Sequence, residues 1–183
     1  MRASRLYLYS GLARLLPSTR CFALKRSLLR LCGAALGENV RLCSSARFAM
    51  SGPLKIGTDT WVGHEVLIVG GDAPVVIGSQ CDIAPRVLVA SGSHVIDSLG
   101  TRVAGTGYSA PITIGDGTWL CAGSIILGGT TIGARCIVAA GAVVKGNFPE
   151  GTIISGIPAR VTGKIDDKSK AGQLRTVQVD GVE

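Results

Sequence analysis

The sequence contains few of the residues that most metal-binding and catalytic sites require. It has only two histidines, His64 and His94, and its six cysteines form no C-x-x-C pair. Because a zinc site needs three or four clustered nitrogen or sulfur ligands, we expect no metal site. The chain also lacks the G-x-S-x-G, P-loop and Rossmann glycine motifs, which argues against the enzyme classes built on them.

Aromatic residues are scarce at 4%, although 46% of the residues are hydrophobic and 26 are glycine. This combination argues against disorder and is typical of a repeat solenoid, in which stacked aliphatic side chains fill the interior and glycines form the corners. No apolar run is long enough to cross a bilayer, and the run over 6–13 is a poor signal peptide. We therefore expect a cytoplasmic protein with reduced cysteines.

Acidic residues are absent before Glu38, whereas seven basic residues precede it and account for the whole net charge of +7. Since the remainder is balanced and has no basic stripe with interleaved aromatics, we expect no nucleic-acid partner. Leucines between the basic residues predict amphipathic helices over 1–35, separated at Pro17. Two roles stay open for this segment: a cap on the solenoid, or attachment to an anionic membrane surface or a membrane-bound partner at the inner face of the cytoplasmic membrane.

A six-residue period over 114–149 organises the chain. An aliphatic residue opens each of the six repeats, and a small residue follows four places later in the first five. The openers are Ile114, Leu120, Ile126, Ile132, Val138 and Val144. This period fits neither a helix, with about 3.6 residues per turn, nor an isolated strand, but it fits a chain that makes three short strands per coil. We predict a parallel β-helix with the aliphatic and small residues pointing inward.

The same period begins at Leu36, Ile56 and Ile77, and it breaks briefly over 73–76 and for longer over 95–113. We therefore predict an all-β domain over 36–165, a helical leader over 1–35, and a polar tail over 166–183 of a composition typical of disorder. The long break predicts a loop excursion, and such loops on a repeat scaffold often carry function.

His94 is the first candidate for chemistry, because it ends a coil at the mouth of this excursion. A neutral imidazole there accepts a proton from a hydroxyl and so acts as a general base. Asp97 is a candidate to orient the ring or to raise its basicity. From spacing alone, the two residues equally fit a surface histidine and a solvated loop acid.

Together these features resemble the hexapeptide-repeat acyltransferases. The resemblance rests on the repeats and on the histidine before the excursion. It also rests on the sequence IGDGTW at 114–119, where the repeats resume, and on GIPAR at 156–160, where the β-helix ends. It covers about residues 36–165. Within the family, the chain is most similar to the maltose, galactoside and nodulation-factor O-acetyltransferases, and nearest to the colanic-acid-type branch of exopolysaccharide and lipopolysaccharide biosynthesis.

The resemblance implies a left-handed β-helix, a homotrimer with active sites between subunits, and acetyl-CoA as the donor. The family's catalytic histidine falls on His94, which would deprotonate an acceptor hydroxyl for direct attack on the thioester while backbone N–H groups stabilise the oxyanion. Small residues would line the pantetheine arm and cations would bind the CoA phosphates. The matching positions are Trp119, Ala122, Gly123, Ala140, Gly141, Lys145, Arg160 and Lys164. The family usually has its lysine one place away from Lys145, and the small residues equally fit ordinary corner packing.

On the acceptor side, the resemblance assigns the polar residues one coil before His94. These are His64, Glu65 and Asp72. Because the 64–65 segment replaces the family's sugar-binding asparagine, several acceptors stay open: a saccharide hydroxyl in surface polysaccharide assembly, serine, an amino sugar or an antibiotic. A non-catalytic β-helix scaffold is the alternative from another class.

Overall fold

The computed structural model describes residues 3–165, which form two helices followed by a three-sided parallel β-helix. Helix α1 spans Ala3–Arg14 and helix α2 spans Phe22–Leu31, so the chain leaves the helical conformation around Pro17 as predicted. Within the described residues, no helix is both long and apolar enough to cross a membrane. The tail predicted over 166–183 lies outside the described residues.

The first five coils each contribute a strand to three sheets, here called A, B and C, and the sixth contributes to A and B only. Sheet A contains β1 Ala35–Leu36, β4 Leu54–Ile56, β7 Val75–Ile77, β12 Ile112–Ile114, β15 Thr130–Ile132 and β18 Asn147–Phe148. Sheet B contains β2 Arg41–Leu42, β5 Trp61–Val62, β8 Asp82–Ile83, β13 Trp119–Leu120, β16 Ile137–Val138, β19 Thr152–Gly156 and β20 Ala159–Lys164. Sheet C contains β3 Arg47–Met50, β6 Leu67–Gly70, β9 Leu88–Ala90, β14 Ile125–Leu127 and β17 Val143–Val144. Two further strands, β10 Gly92–Ile96 and β11 Ala104–Ser109, form a separate hairpin.

The aliphatic residues that open the repeats stack into buried columns, which confirms the predicted inward placement. In sheet A, Ile56 pairs with Ile77, Ile77 with Ile114, and Ile114 with Ile132. All four side chains are almost completely buried. Removing a side chain of this size from water contributes about 1.5–3 kcal/mol, so the columns supply most of the stabilisation of the solenoid.

The long excursion is an ordered antiparallel hairpin and not an irregular loop. It begins at Gly92, three residues before the predicted start, and pairs β10 with β11. The difference has a physical cause: no coil neighbours the protruding chain, so its backbone N–H and C=O groups pair with each other. His94 therefore lies within a strand of the hairpin and does not close a coil.

The two helices pack against the first coils and cap them. Leu6, Tyr9 and Leu29 are buried, and the ring of Tyr9 meets that of Phe48 edge to face at 5.8 Å. Helix α2 separates apolar from polar faces as predicted, whereas α1 carries apolar side chains on its exposed side as well.

A buried lysine fixes the connection between the helices. Lys25 is fully buried, and its ammonium group donates to the carbonyl oxygens of Pro17, Ser18 and Leu42 at 2.9–3.1 Å. Burial lowers the pKa of Lys25 below its ordinary value, and no carboxylate within residues 3–165 pairs with its ammonium group. Three carbonyl acceptors satisfy the three ammonium donors, which holds the cap to the end of β2.

Candidate functional site

The crossings from sheet C to sheet A, here called the C–A corner, vary from coil to coil. The first three are irregular, and they end at Pro53, Pro74 and Pro111, each directly before a strand of sheet A. The carbonyl oxygens of Pro53 and Pro74 accept the N–H groups of Val75 and Ile112 at 3.0 Å. Proline has a fixed φ and donates no hydrogen bond, so each irregular crossing returns to the sheet in register.

The three irregular crossings stack to form an open groove of about 590 Å³. Its lining residues are Ser51, Gly71, Asp72, Gly92, Ser93, His94, Gly107, Tyr108 and Ser109. Two residues predicted from the sequence, His94 and Asp72, are thus brought together by different coils. Beside the groove, Gly70 and Ser91 pass each other so closely that a Cβ on Gly70 would lie 1.8 Å from the Ser91 hydroxyl oxygen, so only glycine fits at position 70.

The imidazole of His94 is held by the opposite strand of the hairpin. Its Nδ1 lies 2.9 Å from the carbonyl oxygen of Gly105. A carbonyl oxygen only accepts, so Nδ1 carries the proton and donates, which leaves the lone pair on Nε2. The ring is exposed at the groove, and Nε2 is therefore the nitrogen that can accept a proton.

Asp97 does not contact the His94 ring. One of its carboxylate oxygens accepts the N–H groups of Leu99 at 3.1 Å and Gly100 at 2.8 Å. This is the geometry of an aspartate that closes a turn, here at the tip of the hairpin. The orienting contact predicted for Asp97 is instead made by the carbonyl group of Gly105.

Asp72 is anchored by Ser109, which the sequence did not single out. The Ser109 hydroxyl donates to the Asp72 carboxylate and accepts the N–H of Ala73 at 3.0 Å. The hydrogen bond from Ser109, followed by one from the backbone N–H of Asp72 itself, lowers the pKa of this carboxyl group below its ordinary value. A signal for Ser109 was present, because it lies two residues before Pro111, where the excursion returns to the coil.

His64 and Glu65, assigned to the acceptor side by the resemblance, lie on a different edge of the prism from His94 within one chain. They form the crossing from sheet B to sheet C, here called the B–C corner. His64 Nδ1 is 3.4 Å from the hydroxyl oxygen of Ser45, and the Glu65 carboxylate pairs with Arg86 at 2.8 Å. The hydrogen bond and charge of Arg86 lower the pKa of Glu65. The predicted acceptor set is therefore split between two corners.

The small residues predicted to line the pantetheine arm stack along the same B–C corner. Gly141 donates its N–H to the carbonyl of Ala122 at 3.1 Å, and Gly123 donates to that of Pro85 at 3.1 Å. Gly123 and Gly141 both have φ near +70°, and no heavy atom lies within 4 Å of a Cβ placed there. Glycine adopts this positive φ without strain, and Ala122 and Ala140 add only methyl groups. The backbone is therefore exposed along this edge.

The remaining predicted donor-side residues are exposed but scattered. Trp119 is half exposed on β13, and Lys145 follows β17 at the C–A corner. Arg160 and Lys164 lie on β20 in the last coil. None of these residues lines the groove that contains His94. A single chain therefore displays the His94 groove and the small-residue edge as two separate surfaces.

Within residues 3–165, no three histidine, cysteine or acidic side chains come close enough to hold a metal ion.

All six cysteines are free thiols, and burial raises the pKa of Cys81 and Cys121. Protonated thiols of this kind are poor nucleophiles. The ring nitrogen of His94 is thus the best-placed proton acceptor among the predicted residues.

Comparison with protein families and curated proteins relates this arrangement to acyltransferases. Residues 111–146 match the family described as bacterial transferase hexapeptide (six repeats). Galactoside O-acetyltransferase of Escherichia coli K12 is 30% identical over 156 residues, which are 85% of this chain and 76% of that protein. The putative colanic acid biosynthesis acetyltransferase WcaF of the same strain is 33% identical over 73% of this chain and 71% of its own length. The putative acetyltransferase YJL218W of Saccharomyces cerevisiae is 39% identical over 113 residues. These residues are 62% of this chain and 57% of that protein.

Solved structures agree with this relationship. The hexapeptide-repeat containing acetyltransferase VCA0836 of Vibrio cholerae, complexed with acetyl coenzyme A, superposes with a TM-score of 0.71 at 30% identity. The match covers 90% of this chain and 89% of that one. A galactoside acetyltransferase in complex with coenzyme A superposes with a TM-score of 0.61 at 25% identity, covering 90% of this chain and 78% of the other.

Proposed function

The chain belongs to the hexapeptide-repeat acyltransferases, and from this premise we propose that it transfers an acetyl group from acetyl-CoA to a saccharide hydroxyl. The donor is supported by the acetyl-CoA and CoA complexes of two structural relatives. The acceptor class is supported by relatives named for galactosides, for colanic acid biosynthesis and for lipopolysaccharide biosynthesis.

One observation carries the catalytic part of the proposal: His94 Nδ1 lies 2.9 Å from the carbonyl oxygen of Gly105, and the ring lines an open groove. This contact holds the ring, and in the neutral imidazole it places the proton on Nδ1 and the lone pair that a general base requires on Nε2. In the proposed step, Nε2 takes the proton of the acceptor hydroxyl while the hydroxyl oxygen attacks the thioester carbonyl carbon. The carbon–sulfur bond then breaks, and the CoA sulfur leaves as a thiol after receiving that proton from His94.

Asp72 and Tyr108 support a saccharide acceptor. Ser109 holds the Asp72 carboxylate at the groove and lowers its pKa, and the remaining lone pairs of the carboxylate can accept hydrogen bonds from sugar hydroxyl groups. Tyr108 lines the same groove and is 45% exposed, which gives an aromatic surface for the apolar face of a sugar ring. The groove is open to solvent, and it therefore accommodates part of a longer saccharide.

The separation of the two surfaces supports a homotrimer. We propose that the C–A corner of one subunit faces the B–C corner of the next, so that His94 meets the pantetheine arm along Ala122 and Ala140 of its neighbour. The hairpin favours such an assembly, because Val95, Ile96 and Val103 expose 55–78% of their surface on an arm that extends from the coil. In that arrangement, His64 and Glu65 of the neighbour reach the edge of the groove.

The experiment is a transfer assay with labelled acetyl-CoA on the purified chain in neutral buffer, as expected for a cytoplasmic enzyme. The acceptors are galactosides, maltose, serine and an amino sugar. The blank contains the buffer without any acceptor. We expect label on the saccharides above the blank and a protein mass of three chains. Label on serine or on the amine of the amino sugar alone would overturn the saccharide assignment. Acetyl-CoA binding without transfer to any acceptor would favour the scaffold alternative.

A further inference from the structure

The two-helix cap has an apolar face that the rest of the described chain leaves uncovered. This cap face consists of Leu8, Leu12, Leu15 and Leu31. Leu8 and Leu12 lie one turn apart on α1, and Leu15 follows directly in the turn that ends the helix. Three of the four are strongly exposed, Leu8 at 65%, Leu15 at 82% and Leu31 at 69%. A cluster of this kind indicates an interaction surface, because isolated exposed leucines are common but grouped ones are not.

A groove of about 300 Å³ runs between the helices beneath this face. Its walls are apolar except at Arg5, and Leu8, Leu12 and Leu31 form its rim. Tyr9 lines it and is 2% exposed, yet its hydroxyl group has no hydrogen-bond partner within residues 3–165. This hydroxyl is itself buried, so the surface that the groove presents is its apolar lining.

The charge around the cap face has one sign. No acidic residue precedes Glu38, and Arg14 and Arg20 are exposed and form no ion pair within the described part of the chain. Arg5 and Arg30 donate to backbone carbonyl oxygens of Leu31 and Leu36, which orients the guanidinium groups without neutralising them. The cap therefore combines exposed leucines with uncompensated cations.

We propose that the cap face docks the protein peripherally on an anionic lipid surface. The leucines would enter the boundary between headgroups and acyl chains, and the arginines would pair with lipid phosphates. A second copy of the same face is disfavoured because it would bring like charges together. Nucleic acid is disfavoured because it offers no apolar phase for the leucines. The proposal does not depend on the acyl transfer reaction.

The test is flotation of the full chain with vesicles of phosphatidylcholine, pure or mixed with phosphatidylglycerol. We expect the wild type to float with the mixed vesicles and to stay behind with the pure ones. The double variant Leu8→Ser/Leu15→Ser should lower the partition coefficient at least about tenfold, because two leucines lose their apolar burial. Leu99→Ser is the matched control, since Leu99 is 97% exposed at the hairpin tip, far from the cap.

The charge is tested separately with Arg14→Gln/Arg20→Gln. Each exposed cation near an anionic surface changes the partition coefficient about fivefold, so the pair should lower it by more than tenfold, and added salt should reduce wild-type binding in the same direction. Arg102→Gln, on the exposed turn of the hairpin, is the charge-matched control and should bind as the wild type does.

Three results would overturn the proposal. The first is wild-type flotation that does not depend on phosphatidylglycerol, and the second is flotation of both cap variants at the wild-type level. The third is a change in sedimentation mass for Leu8→Ser/Leu15→Ser, which would identify the face as a contact between subunits. Circular dichroism and the melting temperature establish that the variants remain folded, so a loss of flotation reports on the surface itself.

Discussion

The two corners that border sheet C are built differently. At the B–C corner, every crossing in the first five coils has four residues, from 43–46 in the first to 139–142 in the fifth. At the C–A corner the crossings have three and four residues, then the whole hairpin, and then two residues each in the fourth and fifth coils. One corner repeats, and the other changes three times before it becomes regular.

The difference shows how a repeat fold separates two tasks. Because these crossings have constant length, equivalent backbone atoms of successive coils lie directly above one another. They form a straight edge, which suits an extended ligand. Only crossings of unequal length can direct side chains from three coils into one concavity, as Ser51, Asp72 and His94 do. We therefore expect substitutions at the C–A corner to affect the chemical step or the acceptor, and those at the B–C corner to affect the donor.

The largest expected effect comes from His94→Ala. Loss of a positioned general base lowers kcat about 10²–10⁴-fold, and the KM for acetyl-CoA should stay near the wild-type value, because the proposed donor surface is the other corner. Steady-state kinetics with the best acceptor of the transfer assay measures both constants.

The control for this variant is Arg102→Ala, which alters the same hairpin without reaching the groove. Its kinetics and melting temperature should match the wild type. Unchanged turnover of His94→Ala would remove His94 from the mechanism. A large rise in the KM for acetyl-CoA in that variant would instead show that the two corners do not act separately.

The second prediction concerns a site shared between subunits. Ala122→Trp places a large ring on the exposed B–C edge and should raise the KM for acetyl-CoA by at least about tenfold, since the ring occupies the space for the pantetheine arm. When it is co-expressed with His94→Ala, each mixed trimer should regain one active site of its three, because in the proposed trimer each shared site draws its two halves from different chains.

The readout is activity per trimer after purification through two different tags. A co-expressed sample no more active than the sum of its separately purified parents would mean that one chain supplies both halves. Ser45→Trp is the matched control, because it adds the same ring to the same edge in the first coil, away from the small-residue pairs. It should leave the KM for acetyl-CoA unchanged.

The regular part of this molecule was predictable from the sequence because burial imposes the period. Ile77, Ile114 and Ile132 occupy one column, and any shift in register would expose them, so the six-residue pattern specifies the coils directly. His94 became a candidate from its place in the pattern and Asp72 from the family resemblance, and the structure brings both to one groove. The hairpin was predicted as an excursion, but its strand pairing was not, since its exposed strands carry no burial pattern.

The relation between the two corners was not predictable from the same pattern. His64 and Asp72 are only eight residues apart in the sequence, yet one strand of sheet C separates them and places them on different edges. Gly105 acts on His94 through its carbonyl oxygen, and every residue has a carbonyl group, so residue type gives no sign of that role. The three prolines before sheet A strands were a usable signal for the irregular crossings.

The third prediction tests the anchoring of Asp72 through pH. Ser109→Ala removes the first cause of its lowered pKa, so the pKa of Asp72 should rise toward the ordinary aspartate value. The carboxylate is the form that accepts hydrogen bonds from sugar hydroxyls, and the acidic limb of kcat/KM for the acceptor should therefore move to higher pH. At neutral pH the acceptor KM should rise a few-fold, because the carboxylate is still charged but no longer held. An unchanged pH profile would show that Ser109 does not control Asp72.

The smallest expected effect is that of Arg86→Gln, which breaks the ion pair with Glu65 at the B–C corner. The pair lowers the pKa of Glu65, so any stabilisation it gives is present above the unfolded-state pKa of glutamate and is lost as the pH falls through the folded-state value. Both side chains are more than half exposed, and exposed pairs contribute little, so the unfolding midpoint at neutral pH should match the wild type. The acceptor KM is the informative measurement. A change there, without a change in stability, would mean that Glu65 reaches the groove of a neighbouring subunit and that the regular corner also contributes to acceptor binding.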